Sequence, residues 1–243
     1  MIFERLLENP EKYRCGENYR ATNIVFPVEF DGKKYVIKKQ GILSSLANFY
    51  YALQDGFFYQ TRGVGTCFER LKREANCLEK LAGCGAPGIL AHNENTIVRE
   101  YIDGVSFRNL SGPIRERALE EGFNSLQAIH QEGVVIGDAH VKNILLSSES
   151  NAYWMDFDGY FNDQERITTL KAMDVLKFVY STYSETRDEK ITTFATEIAR
   201  SYNELSEVQD LVKYDLSALR LWFPTRIPLN GRLNKRIKEI LLR

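Results

Sequence analysis

The hydrophobic period changes along this chain, and that change limits the fold more than any other feature. Residues 20–38 read as strands: TNIVFPVEF and KKYVIKK are rich in β-branched and aromatic side chains and flank Asp31-Gly32, a dipeptide suited to a two-residue hairpin turn. From about Ser44 to Leu81 the spacing becomes helical, with an interruption at Gly63 and Gly65. Its second part, FERLKREANCLEKLAGCG, sets Leu71, Ala75, Leu78 and Leu81 on one face and ends in glycines. The stretch ENTIVREYI predicts another strand, closed by Asp103-Gly104. Residues 113–131 predict an amphipathic helix with Ala118, Phe123, Leu126 and Ile129 for burial. Two short strands follow, Ile144–Leu146 and Tyr153–Met155, and from Thr168 onward the pattern is mostly helical. Strands first and helices later predict an α+β fold in which the two kinds of element segregate. We expect one domain over 1–243, with a strand-rich lobe at about 1–101 and a helical lobe at about 104–243.

Composition narrows the function classes. The 243 residues carry a net charge of −1, so a surface that coats nucleic acid is not expected. Four cysteines (Cys15, Cys67, Cys77 and Cys84) form no C-x-x-C pair and have no histidine at metal-ligand spacing, which argues for reduced thiols and against zinc. The opening MIFERLLENPEKYR is charged throughout, unlike a signal peptide, and no apolar stretch is long enough to cross a bilayer. The expected location is cytoplasmic.

Chemistry concentrates in Gly137-Asp138-Ala139-His140-Val141-Lys142-Asn143, followed by the apolar Ile144-Leu145-Leu146, and in Trp154-Met155-Asp156-Phe157-Asp158. An Asp followed five positions later by an Asn and a short strand, then a second strand delivering Asp-Phe, is the spacing of a kinase catalytic loop and its metal-binding segment. Phosphoryl transfer depends on positioning and charge neutralisation. Asp138 would orient the acceptor hydroxyl and take its proton, while Asn143 and Asp156 would offer hard oxygen donors to Mg²⁺ on the phosphates of ATP. Taken singly, these residues read as loop formers and turn caps; their joint spacing favours the catalytic reading. Upstream, Tyr35-Val36-Ile37-Lys38 matches the strand whose lysine holds the α- and β-phosphates. The adjacent Lys39 leaves the register open. The expected carboxylate partner of Lys38 is Glu74, with Glu79 second. Residues 98–102 read as the connection between lobes, where backbone groups of Glu100 and Ile102 would pair with the adenine edge.

On these residues the chain resembles the protein-kinase-like superfamily, and in particular its small atypical bacterial members: the lipopolysaccharide core (Kdo and heptose) kinases and the RIO and Bud32 kinases. The Gly137-Asp138-x-His140 form, the long insertion between Lys38 and Glu74, and the lack of an A-P-E motif carry that likeness. It implies a helical Asp174 that braces the catalytic loop. The chain departs from the pattern in three places. No G-x-G-x-x-G occurs, and Gly16 alone precedes the first strands. Ile136 stands where the loop histidine would, so its backbone brace is expected to be lost. Asp158 replaces the glycine after Asp-Phe, either adding a carboxylate near the metal or bonding to the local backbone. The resemblance implies an ATP- and Mg²⁺-dependent kinase whose acceptor is a lipopolysaccharide core sugar. A protein Ser/Thr kinase and a pseudokinase scaffold are the rivals. His140, where protein kinases carry lysine, favours a sugar or other small acceptor. The C-terminal segment mixes Arg220, Arg226, Arg232, Lys235, Arg236, Lys238 and Arg243 with Trp222, Phe223, Leu233, Ile237, Ile240 and Leu241. It reads either as a peripheral contact with the inner face of the cytoplasmic membrane or as a terminal helix packed on the larger lobe with a solvated basic rim.

Overall fold

The structure is a computed structural model that describes residues 2–19, 23–39, 67–81, 83–157, 167–214 and 231–243. Expectations for residues 44–66, for Asp158 and for 215–230 lie outside them. In chain order the elements are α1 (Ile2–Glu8), β1 (Ile24–Phe30), β2 (Lys33–Lys39), α2 (Cys67–Leu81), β3 (Ile89–His92), β4 (Thr96–Glu100) and β5 (Gly104–Ser106). The rest are α3 (Gly112–Gln131), β6 (Ile144–Ser147), β7 (Ala152–Trp154), α4 (Ile167–Thr186), α5 (Glu189–Ala199), α6 (Leu205–Tyr214) and α7 (Gly231–Leu241).

The α+β class holds. One antiparallel sheet has the order β1-β2-β4-β3, and a second, smaller one has the order β5-β6-β7. Asp31 and Gly32 both take positive φ (53° and 69°), the geometry a tight hairpin between β1 and β2 requires. Three elements were not anticipated: α1, β3 and β5. Each is short, and β3 has no fully buried residue to set a period.

The faces of the larger sheet follow strand alternation. Ile37 and Val98 point to one side, where they join Leu6 of α1, Phe26 and Val28 in a small core. Lys38, Ile97 and Arg99 therefore share the opposite face, toward α2. Ile97 there belongs to the larger core, which runs from Leu71, Ala75, Leu78 and Leu81 of α2 into α3, the smaller sheet and α4. Trp154 sits inside that core with no exposed surface; its indole N–H donates to the Gly122 carbonyl at 2.9 Å, and its amide to Gly85 at 2.8 Å. One residue thereby ties β7 to α3 through its side chain and to the turn after α2 through its backbone.

The terminal helix α7 packs through Leu233, Ile237, Ile240 and Leu241 and contacts α5 and α6, while Arg232, Lys235 and Arg236 stay exposed. The apolar side chains of this helix are thus used within the fold, and its rim alone faces outward. Among the described residues no helix is long and apolar enough to cross a membrane.

Truncating Trp154 removes both the packing and the Gly122 bond. Trp154→Ala should cost about 3–5 kcal/mol in chemical denaturation, whereas truncating the exposed Leu242 should cost no more than about 0.5 kcal/mol.

Candidate functional site

Lys38 is the last buried residue of β2 and is 1% exposed, in a strand where Val36 and Ile37 are equally enclosed. An ammonium buried this deeply needs compensating charge. It receives two carboxylates. Its Nζ donates to Glu74 Oε2 in close contact and to Asp156 Oδ1 at 3.2 Å. Lys39 points to the other face and is only half-buried, which settles the register.

Glu74 is in reach because it lies in the apolar stripe of α2, between Leu71 and Ala75 on one side and Leu78 on the other, with no exposed surface. Glu79, the second choice, is on the outer face and pairs with His92 at 3.2 Å. Arg99 completes the cluster and was not anticipated. On the same sheet face as Lys38 and 4% exposed, it stands 3.7 Å from Glu74 Oε1 and donates to the Met155 carbonyl at 2.7 Å. Two cations and two carboxylates from β2, β4, α2 and the segment after β7 therefore share one buried volume.

The second half of the site is the loop 136–143. Asn143, 1% exposed, donates through Nδ2 to the Asp138 carbonyl at 3.0 Å and lies 3.3 Å from Asp138 Oδ2. Its own carbonyl accepts from the Met155 amide at 3.0 Å, which sets Asp156 beside Asn143. Asp138, Asn143, Asp156, Lys38 and Glu74 are thus brought together.

Helix α4 holds this loop through a stripe of polar side chains. Asp174 accepts from the Ile136 amide at 2.8 Å and the Gly137 amide at 3.0 Å. One turn on, Lys177 donates to the Gly137 carbonyl and stands 3.6 Å from Asp138 Oδ1. Next, the Ser181 hydroxyl accepts from the Val141 amide at 3.0 Å, and Glu185 stands 3.6 Å from His140 Nε2. Gly137 adopts φ 79°, a conformation open to glycine, and so can give its amide to Asp174 and its carbonyl to Lys177. The brace expected of Asp174 is made, and it takes the backbone of Ile136 itself, the residue that stands in place of the loop histidine. Behind Asp174 stands His130 of α3, bonded to it at 3.3 Å and to the Tyr202 hydroxyl at 2.9 Å. Burial, with Glu204 and Asp174, pushes the Tyr202 pKa up, so its phenol keeps its proton.

Electrostatics differ along the loop. Burial pushes the Asp138 carboxyl up and Asp156 adds to that, but the ammonium groups of Lys177 and Lys142 outweigh both and hold it below the ordinary carboxylate value. Burial and the Lys142 ammonium push His140 down to about 4 against the pull of Asp138 and Glu185, so the ring is neutral at pH 7. Its Nδ1 accepts from the Lys142 amide at 3.3 Å, which leaves the hydrogen on Nε2. Glu185 is gripped by both guanidinium arms of Arg108, whose Nη2 lies 3.1 Å from Oε1.

Glu100 closes β4. Its amide donates to the Gly88 carbonyl at 2.9 Å and its carboxylate accepts from the Gly88 amide at 3.0 Å, so its amide is unavailable to a base edge. Ile102 follows in the half-buried connection to β5. Gly16 has a packing reason: a Cβ there would lie 2.7 Å from Pro27 Cγ. For a cation, Asn143 and Asp156 offer an amide and a carboxylate, donors that suit a hard ion such as Mg²⁺. Among the described residues no group of three or more His, Cys, Asp or Glu is placed to hold a metal.

No family model matches the chain, and no curated protein matches its sequence.

Glu74 and Glu79 of α2 give a direct test of the buried cluster. Glu74→Gln leaves Lys38 and Arg99 short of a carboxylate and should cost about 3–5 kcal/mol in chemical denaturation. Glu79→Gln breaks an exposed contact and should cost less than about 1 kcal/mol. Equal losses would contradict the assignment.

Proposed function

We propose that the chain is an ATP- and Mg²⁺-dependent phosphotransferase with a two-lobed protein-kinase-like fold, acting on an alcohol group. The observation that carries this reading is the contact of Lys38 with both Glu74 and Asp156, next to which Asn143 takes the Met155 amide and bonds to Asp138. A buried lysine between two carboxylates gains little stability for its cost, whereas an ammonium held beside a cation-binding carboxylate suits a triphosphate.

In this reading Lys38 holds the α- and β-phosphates, and Glu74 fixes the direction of its ammonium. Asn143 and Asp156 hold the metal. Bound Mg-ATP supplies the phosphoryl group and part of the charge neutralisation. The Glu100 carbonyl and the Ile102 backbone border the adenine. Asp138, with its side chain 38% exposed at the edge of the cluster, orients the acceptor hydroxyl and receives its proton. His140, two residues on and neutral, offers the acceptor a hydrogen bond and no charge. That favours a polyhydroxylated acceptor, the lipopolysaccharide core sugar of the resemblance, over a peptide. If the phosphates are not bound, the pseudokinase scaffold is the reading that remains.

Calorimetric titration with ATP at millimolar Mg²⁺ tests the nucleotide half; absence of binding would sink the enzyme reading. Asp138→Asn tests the division of labour. It should lower the initial rate by ~10²–10⁴-fold while the ATP dissociation constant stays close to that of the unaltered chain. Near-normal turnover would remove Asp138 from the acceptor side. A large loss of ATP affinity in a folded variant would place it with the metal ligands.

A further inference from the structure

We propose that Lys177 is a catalytic cation, delivered by helix α4 and not by the loop, that neutralises the phosphoryl group as it passes Asp138. The inference rests on the kinase reading above and adds a residue to its site.

The argument starts from charge. In the transfer, the acceptor oxygen forms a bond to the terminal phosphorus and the bond from that phosphorus to the bridging oxygen breaks. The electron pair leaves with ADP, and the acceptor proton passes to Asp138. The group in flight spreads negative charge over its peripheral oxygens, and it must move toward a carboxylate that is itself negative. Like charges held a few ångströms apart away from bulk water repel strongly, so an uncompensated Asp138 would oppose the step. A fixed positive charge beside that carboxylate is what the chemistry needs.

At the second position after Asp138 the loop brings an imidazole, His140, whose Nε2 stands 3.6 Å from Glu185, and among the described residues its Lys142 makes no ion pair with Asp138. Lys38 and Arg99 are drawn to Glu74 on the far side of Asp156. Lys177 is differently placed. Its ammonium stands 3.6 Å from Asp138 Oδ1, and its side chain is 15% exposed at the opening where Asp138 is 38% exposed. It is also anchored: its Nζ donates to the Gly137 carbonyl, and Asp174 one turn earlier holds the Gly137 amide. A side chain held at both its helix and its tip loses little freedom when the reaction begins, which is the condition for electrostatic preorganisation.

Lys177→Gln separates this role from that of a loop brace, since the amide can still donate to Gly137 but carries no charge. The probe is ADP with Mg²⁺ and aluminium fluoride, which imitates the phosphoryl group in flight, measured by calorimetry beside Mg-ATP. The glutamine variant should melt near the wild-type temperature, bind Mg-ATP within about 3-fold of wild type and turn over ~10²–10³-fold more slowly. It should bind the fluoride complex at least ~10-fold more weakly, and Lys177→Arg should recover much of that affinity. Acetylation footprinting of the wild-type chain supplies a reading free of any folding defect: Lys177 should be shielded by the fluoride complex and not by Mg-ADP. A glutamine variant with wild-type turnover and fluoride affinity overturns the proposal, as does footprinting that is the same under both ligands. A wild-type chain that binds neither Mg-ATP nor the fluoride complex removes the kinase reading, and this inference with it.

Discussion

The carboxylate of Asp174, 1% exposed in the middle of helix α4, is the group on which the candidate site depends. Removing a carboxylate from water costs several kcal/mol even after relaxation. Here it is offset by the amides of Ile136 and Gly137 and by His130, each a charge-assisted bond of about 1.5–3 kcal/mol. The two amide bonds hold the loop in a shape that turns the Gly137 carbonyl toward Lys177 and leaves Asp138 at the opening. The remaining contacts of the stripe extend the grip: Ser181 takes Val141 and Glu185 approaches His140. From Asp174 to Glu185 the helix advances about 16 Å, a rigid edge against which an irregular loop is laid out.

The buried cluster of Lys38, Arg99, Glu74 and Asp156 obeys different logic. Its charges cancel in sum, yet four ionised groups in a core are a poor way to gain stability, and apolar residues of equal volume would serve the fold at least as well. Local rules are broken at functional sites more often than elsewhere. Arg99 gives the cluster its closure. By taking the Met155 carbonyl while facing Glu74, it joins the segment that carries Asp156 to the helix that carries Glu74. Strand β4 thus sets the separation of two carboxylates that come from distant parts of the chain.

Much of this was legible. Glu74 announces itself as the one acid within the stripe Leu71, Ala75, Leu78 and Leu81, and a carboxylate on an apolar helix face calls for a buried partner. Lys38 and Lys39 could not be separated by composition, because strand alternation fixes which lysine is inside only once the neighbouring strand is in register; the pairing of Lys38 with Ile97 supplies that. Other features left less trace. His130 and Tyr202 are far apart in the chain, and nothing local in either suggests the other. Arg99 was hidden by its own neighbourhood, since a strand running into a connection reads as a place for backbone contacts. The polar stripe of α4 could have been found. Asp174, Lys177, Ser181 and Glu185 recur at steps of three and four on a helix whose other positions are largely apolar.

The two sides of Asp138 are built from different materials, and that contrast bears on what the site can distinguish. Toward Asp156 the charges are buried, paired and within hydrogen-bonding distance of each other, a setting in which electrostatic interactions are strong and geometry is fixed. Toward His140 the ring is neutral, Glu185 is neutralised by both arms of Arg108, and Arg108 itself is 59% exposed. That rim sets the Lys142 ammonium beside a neutral ring and a paired carboxylate, and it presents oriented donors and acceptors. A hydroxyl-bearing ligand matched to them gains bonds, whereas one lacking a partner group leaves a half-buried polar atom unsatisfied, which costs about 1–3 kcal/mol. Under the proposed reading, the buried side would therefore set the rate and the rim would set the choice of acceptor. Both depend on α4, which anchors the loop on one flank through Asp174 and shapes the rim on the other through Glu185.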